Sequence, residues 1–176
     1  MLVKICGVKT PEMADAVCKL GADIIGVVAH KKSKRYITPE QAKAIKEAIG
    51  GRCPMAVVAV SKDECVEYED FADYVQADDA NCSEKHILCG EEKPDGEFKY
   101  FLYDASRGAG IYSDYPDWVA DYRDILILAG GLTPDNVEKV IEMYKPFGVD
   151  VSSGVETDGE KDLEKIKDFI NKAKGI

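Results

Sequence analysis

Two polar residues that each close an apolar run, and two loops of small residues, are the features of this chain whose types and spacing could do chemistry. Cys6 ends the run Leu2-Val-Lys-Ile-Cys and immediately precedes Gly7. A cysteine takes up a proton only as thiolate, which nearby cations or helix N-termini favour; the commoner fate of a free cysteine is burial in a core. Asp104 closes Phe98-Lys-Tyr-Phe-Leu-Tyr103, and period-two alternation points it the same way as Tyr100 and Leu102, as an acid/base group or a solvated loop residue. Ile125-Leu-Ile-Leu-Ala-Gly-Gly-Leu-Thr-Pro-Asp-Asn-Val and Phe147-Gly-Val-Asp-Val-Ser-Ser-Gly-Val-Glu each read as an apolar strand emptying into a small-residue loop. Gly130 and Gly131 leave backbone N–H groups open to an anion, and Ser152, Ser153 and Gly154 add hydroxyl donors to a second such turn, which is phosphate-binding chemistry. Lys31-Lys-Ser-Lys-Arg-Tyr36 is the one basic cluster, either a solvated charge run or a functional loop in which Arg35 offers a planar fork for a carboxylate or an aromatic ring.

The elements that must hold these residues recur. Thr10-Pro11-Glu12, Thr38-Pro39-Glu40 and Thr133-Pro134-Asp135 each follow a short apolar strand and read as helix starts, with a threonine cap, a proline at the first helical position and a carboxylate at the positive end of the dipole. Thr38 with Gln41 completes a capping box. Strands are expected near 2–6, 24–28, 55–60, 73–76, 98–103, 125–129 and 148–152, with a weak candidate at 86–89. Helices are expected near 11–20, 39–48, 63–72, 116–122, 134–144 and 160–173, whereas Gly90–Gly96 is turn chemistry in place of a helix. Repeated strand-to-capped-helix units imply right-handed crossovers and a parallel sheet. Two phosphate loops at the end of such a series match a (β/α)8 barrel, which carries that site after its seventh and eighth strands.

The chain has 176 residues, enough for one well-filled core, and the expectation is a single domain over 1–176. It falls below the roughly 200 residues usual for this barrel, so a βα unit must be trimmed around the fourth to fifth. A net charge of −10 disfavours nucleic acid or an anionic membrane as partner, so an anionic small molecule must be drawn by local donors. The six cysteines form no C-x-x-C pair and only His30 and His86 accompany them, so zinc spacings are absent and reduced thiols in a cytoplasmic protein are expected. No apolar run approaches the ~18 residues of a membrane span.

The same motifs carry a family resemblance. LAGGLTPDNV, GVDVSSGVE and Lys4-Ile-Cys-Gly-Val-Lys-Thr10 resemble phosphoribosylanthranilate isomerase of tryptophan biosynthesis, over residues 1–60 and 98–170, with a poor match from about Ala77 to Gly96. The resemblance implies a cofactor-independent Amadori rearrangement of a phosphorylated substrate, with Cys6 as general base and Asp104 as general acid. It implies Arg35, in the Ser-x-Arg-Tyr loop, on the anthranilate, and a phosphate on Gly130, Gly131, Ser152, Ser153 and Gly154 with Asp150 orienting the loops. Gly108-Ala-Gly-Ile-Tyr-Ser-Asp114-Tyr115 reproduces the family spacing after the acid. The chain departs from the family at Gln76-Ala-Asp-Asp79, where the family has Gln-Leu-His-Gly. That departure leaves a phosphate-binding barrel without turnover as the alternative, and another sugar-phosphate enzyme as a third reading. Phe101 and Tyr103 fall on the outer face of their strand, which residues 77–97 or the second subunit of a homodimer are expected to cover.

Overall fold

Eight apolar strands pair in parallel and in chain order, and the last returns to the first, closing a barrel. They are β1 (Leu2–Cys6), β2 (Ile24–Val28), β3 (Met55–Val58), β4 (Tyr74–Ala77), β5 (Cys82–Gly90), β6 (Glu97–Asp104), β7 (Leu126–Ala129) and β8 (Gly148–Val151). A separate antiparallel pair, β9 (Glu156–Thr157) and β10 (Glu160–Lys161), follows β8. The α-helices are α1 (Pro11–Lys19), α2 (Pro39–Ile49), α3 (Val137–Tyr144) and α4 (Leu163–Lys174), with 3-10 turns at Lys62–Tyr68, Asp117–Tyr122 and Ser153–Val155. The computed structural model describes residues 1–104, 106 and 114–176, so most of the Gly108–Asp114 spacing lies outside the described residues.

Strand alternation sorts the side chains into two cores. Ile24, Ala56, Ile87, Leu102, Ile127 and Ala129 plug the barrel interior, flanked by Leu2, Tyr74 and Tyr100. The alternate residues, among them Val3, Ile5, Val27, Val57, Phe101 and Val149, pack outward against the helices. Counting upward by twos, Leu2, Lys4 and Cys6 face inward on β1, and Tyr100, Leu102 and Asp104 do so on β6. Cys6 and Asp104 thus enter the interior at the C-terminal ends of their strands, the end where barrels of this kind carry their chemistry.

At all three Thr-Pro sites the threonine side chain accepts from a backbone N–H. Thr10 accepts from Met13 N at 3.2 Å, and Thr38 and Gln41 form the reciprocal box. Thr133 Oγ1 accepts from Asp135 N at 3.2 Å and Asn136 Oδ1 accepts from Thr133 N at 2.8 Å. There residues 134–136 form a turn that leads into α3, whose α-helical span starts later than expected, at Val137. The expected helix at 160–173 likewise starts later, because Asp158 and Gly159 take φ of 53° and 84° and make a two-residue hairpin turn.

The trimming falls at the fourth and fifth units. Among the described residues no α-helix separates β4 from β5 or β5 from β6; only 78–81 and 91–96 join them, and the weak candidate at 86–89 is the upper part of a long β5. Parallel neighbours ordinarily need a dozen or more linking residues. Residues 91–96 suffice only because an extended chain covers up to about 3.5 Å per residue, enough to retrace β6. Within the chain, the outer face of β6 is covered by residues 115–122 and not by 77–97 as expected. Phe101 and Tyr103 are buried under Trp118, with Tyr122 against Phe101 and Tyr115 against Tyr103. The expectation of uniformly reduced thiols also fails: Cys18 and Cys53, with Cα atoms 6.2 Å apart, are joined by a disulfide, because α1 brings Cys18 beside the segment entering β3.

Candidate active site

Cys6, Arg35, Asp104, Gly130, Gly131, Asp150, Ser152, Ser153 and Gly154, the residues nominated from sequence, all line one cavity of about 170 Å³ at the C-terminal end of the barrel. Cys6 stands at the top of β1, in register with Gly26, and Asp104 at the top of β6, in register with Ala129. Asp104 Oδ1 accepts from the backbone N and the hydroxyl of Ser106, both at 2.9 Å, so the carboxylate is oriented by a residue that no sequence motif marked. Gly130 and Gly131 take φ of 94° and 68°, which turns their N–H groups in a way residues with side chains rarely permit. Asn136 secures that turn by donating to Gly131 O at 3.0 Å. Gly154 abuts Leu132 O so closely that a Cβ would overlap it, which locks the two small-residue loops together. Ser152 Oγ donates to Cys6 O at 3.1 Å and ties the second loop to the first strand.

Charge is concentrated beneath and beside Cys6. Lys4 is fully buried, and its Nζ donates to Asp150 Oδ1 at 2.7 Å across the β1–β8 pair. Burial works against that ammonium, yet Asp150 and Cys6 beside it hold its pKa above the ordinary range. Burial is also the largest influence on the Cys6 thiol and pushes it up, against the pull of Lys4 and Lys161. Arg35 grips Glu156 with a fork, Nε to Oε1 at 2.7 Å and Nη2 to Oε2 at 2.9 Å, and Lys161 Nζ meets the same carboxylate at 2.7 Å. Burial alone would raise Glu156, but these two cations hold its pKa down to about 2. Lys4, Glu156 and Lys161 were not identified from sequence as site residues; the Asp158-Gly159 turn, which sets Lys161 opposite Glu156, was the available signal.

A second cavity of about 450 Å³ opens beside the first and shares Val28, Ser33, Arg35, Val58, Gln76 and Asp104 with it. Its own walls are Ala59 and Val60 on one side and Asp78, Cys89, Gly90 and Glu91 on the other, with His30 at its edge paired to Glu64 at 2.8 Å. Gln76 sits on the seam, 5% exposed, and its Oε1 is buried with no hydrogen-bond partner. The cleft thus has one chamber floored by the two small-residue loops and carrying the Cys6 thiol, and another of mixed apolar and acidic lining, with Asp104 and Arg35 between them.

The family model described as N-(5'phosphoribosyl)anthranilate (PRA) isomerase matches residues 91–172. An N-(5'-phosphoribosyl)anthranilate isomerase of Streptococcus mutans is 36% identical, with 98% of each chain covered. The chain belongs to the phosphoribosylanthranilate isomerase family. The crystal structure of the Thermotoga maritima isomerase superimposes with a TM-score of 0.80 at 31% identity over 100% of both chains. A phosphoribosylanthranilate isomerase in complex with reduced 1-(o-carboxyphenylamino)-1-deoxyribulose 5-phosphate does so with a TM-score of 0.75, also at 31% identity and 100% coverage of both. The (β/α)8 barrel, trimmed as described, is therefore the isomerase family's barrel. Asp78, in the place of the histidine in the family's Gln-Leu-His-Gly, lines the second cavity and not the one floored by the small-residue loops.

Proposed function

We infer that the protein isomerises N-(5-phosphoribosyl)anthranilate to 1-(2-carboxyphenylamino)-1-deoxyribulose 5-phosphate in the tryptophan pathway. The observation that carries this reading is the convergence of Cys6 and Asp104 on one cavity floored by the two small-residue loops, in a chain of this family. The phosphate sits on the backbone N–H groups of Gly130, Gly131, Ser153 and Gly154, and the aryl group enters the second cavity beside Arg35. Asp104 protonates the furanose ring oxygen; the C1–O bond breaks as the nitrogen lone pair forms the Schiff base. Cys6, as thiolate, then removes the C2 proton, and the C–H electrons form the C1–C2 double bond of the enolamine, which tautomerises to the ketone. Each proton-transfer group contributes about 10²–10⁴-fold. The reading places the enzyme in the cytoplasm; among the described residues no helix is long and apolar enough to cross a membrane.

A second reading, a barrel that binds phosphorylated ligands without turnover, is favoured by the acids Asp78 and Glu91 in the aryl chamber. Turnover of the phosphoribosyl substrate by the purified protein, with rescue of a tryptophan auxotroph, separates the two. Cys6→Ala and Asp104→Asn should each lower kcat by about 10²-fold or more while inorganic phosphate still competes. A Cys6→Ala enzyme keeping more than about a tenth of its turnover removes the base assignment.

A further inference from the structure

Lys161 lies outside the barrel strands, yet its side chain is only 4% exposed. Its Nζ donates to Ser152 O at 2.9 Å and Glu156 Oε1 at 2.7 Å, with Ser152 Oγ 3.4 Å away. Ser152 opens the second phosphate loop. Glu156 holds the guanidinium of Arg35 in two hydrogen bonds, which leaves the remaining N–H groups of the five to serve the cavity that Arg35 lines. One buried ammonium therefore touches the loop that would take the phosphate and the carboxylate that aims the arginine. Pairing with Glu156 does not by itself explain it, because the Arg35 fork already neutralises that carboxylate, and burying a further cation costs free energy. The ion pairs set Lys4 against Asp150, and Arg35 with Lys161 against Glu156, beside Cys6, so the second pair alone carries two cations on one carboxylate.

We propose that Lys161 is a positioning residue of the substrate site, fixing the phosphate loop through Ser152 and Arg35 through Glu156 at one separation, so that the cleft selects phosphosugars bearing a second anionic group. The geometry comes from the hairpin: the Asp158-Gly159 turn places Lys161 directly opposite Glu156, and Lys9 braces the outer side of the hairpin through Glu160 at 2.6 Å. The proposal rests on the isomerase reading for the identity of the second anion, while its phosphate half stands without it.

The test compares Lys161→Met, Lys161→Gln and Lys161→Arg, scored by steady-state kinetics and by calorimetric titration with inorganic phosphate. Lys161→Met should raise KM at least tenfold and kcat should fall less than threefold, with phosphate affinity reduced severalfold; Lys161→Arg should recover most of both. Lys161→Gln can still donate to Ser152 O but cannot balance Glu156, so it should keep phosphate affinity within threefold and still raise KM. In a Glu156→Gln background the KM effect of Lys161→Met should shrink, because the route to Arg35 is already cut, whereas its phosphate effect should persist. A purely structural role predicts lower melting temperatures with unchanged KM and phosphate affinity per folded molecule, and that result overturns the proposal. So does a loss in Lys161→Met that arginine fails to restore. Should the wild-type protein bind phosphate without turning over the substrate, the isomerase reading fails alone, and unaltered phosphate affinity in Lys161→Met then overturns the proposal separately.

Discussion

The ionisation of Cys6, the proposed base, is set by a contest between burial, which disfavours the thiolate, and the ammonium groups of Lys4 and Lys161, which favour it. Burial wins in the free protein, so the thiol lies above its ordinary value of 9.0, and kcat/KM should climb with pH into the alkaline range as the thiolate fraction grows. A flat profile from pH 7 to pH 10 would remove Cys6 as the titrating base. Glu156 has the opposite sign. Its pKa is about 2 in the fold against 4.5 ordinarily, so its stabilisation is complete above about 4.5 and is lost as the pH falls through about 2. The melting temperatures of the wild-type protein and Glu156→Gln should therefore differ most above pH 5 and converge near pH 2. Gln76 makes a third case. An unpartnered buried acceptor costs about 1–3 kcal/mol, so Gln76→Leu should raise the melting temperature, by roughly 2–4 °C per kcal/mol, while weakening substrate binding. A lowered melting temperature would show that Oε1 is satisfied in solution. The places of Cys6 and Asp104 at the cavity were legible in sequence because each ends an apolar run, and strand alternation fixes where such a residue points, while their proposed roles came from the family resemblance alone. Glu156 and Lys161 were not, because each gains its meaning only from a partner that the fold supplies.

At the scale of elements, the parallel strands and the helix caps at Thr10 and Thr38 were legible because short continuous apolar runs and Thr-Pro-acid signals are local. The expected start of the last helix was overridden by a tight turn, Asp158-Gly159 before α4. The covering of β6 by Trp118 and Tyr122 was hidden for another reason, since a 3-10 turn of six residues has too little periodicity to show which strand it will cap. The proposed phosphate site belongs to this scale, because it requires the loops after β7 and β8 to interlock. Gly154→Ala would force a Cβ into Leu132 O and drive the loops apart. It should abolish competition by inorganic phosphate and raise KM by an order of magnitude or more, while circular dichroism stays barrel-like. Retained phosphate competition in a folded Gly154→Ala enzyme would place the anion elsewhere.

Across the whole molecule the field is negative, with a net charge of −10, and a phosphorylated carboxylate must approach against it. Lys31, Lys32 and Lys34 are exposed on the loop that also carries Arg35, so they form a local positive patch at the mouth of an otherwise acidic protein. Exposed charges of this kind act through solvent and are screened by salt, with a Debye length near 10 Å at 0.1 M and about 3 Å at 1 M. They raise the local concentration of an anion without fixing its final position, which falls to backbone N–H groups and to the buried Arg35–Glu156–Lys161 network. Replacing the three lysines with glutamine takes the net charge from −10 to −13 and should lower kcat/KM severalfold at low ionic strength. The deficit should fade as salt approaches 1 M, and phosphate affinity measured there should match that of the wild-type protein. A loss of equal size at every salt concentration would mean that at least one of these lysines contacts the bound substrate, and the phosphate site would then have to extend from the loops after β7 and β8 to the loop after β2.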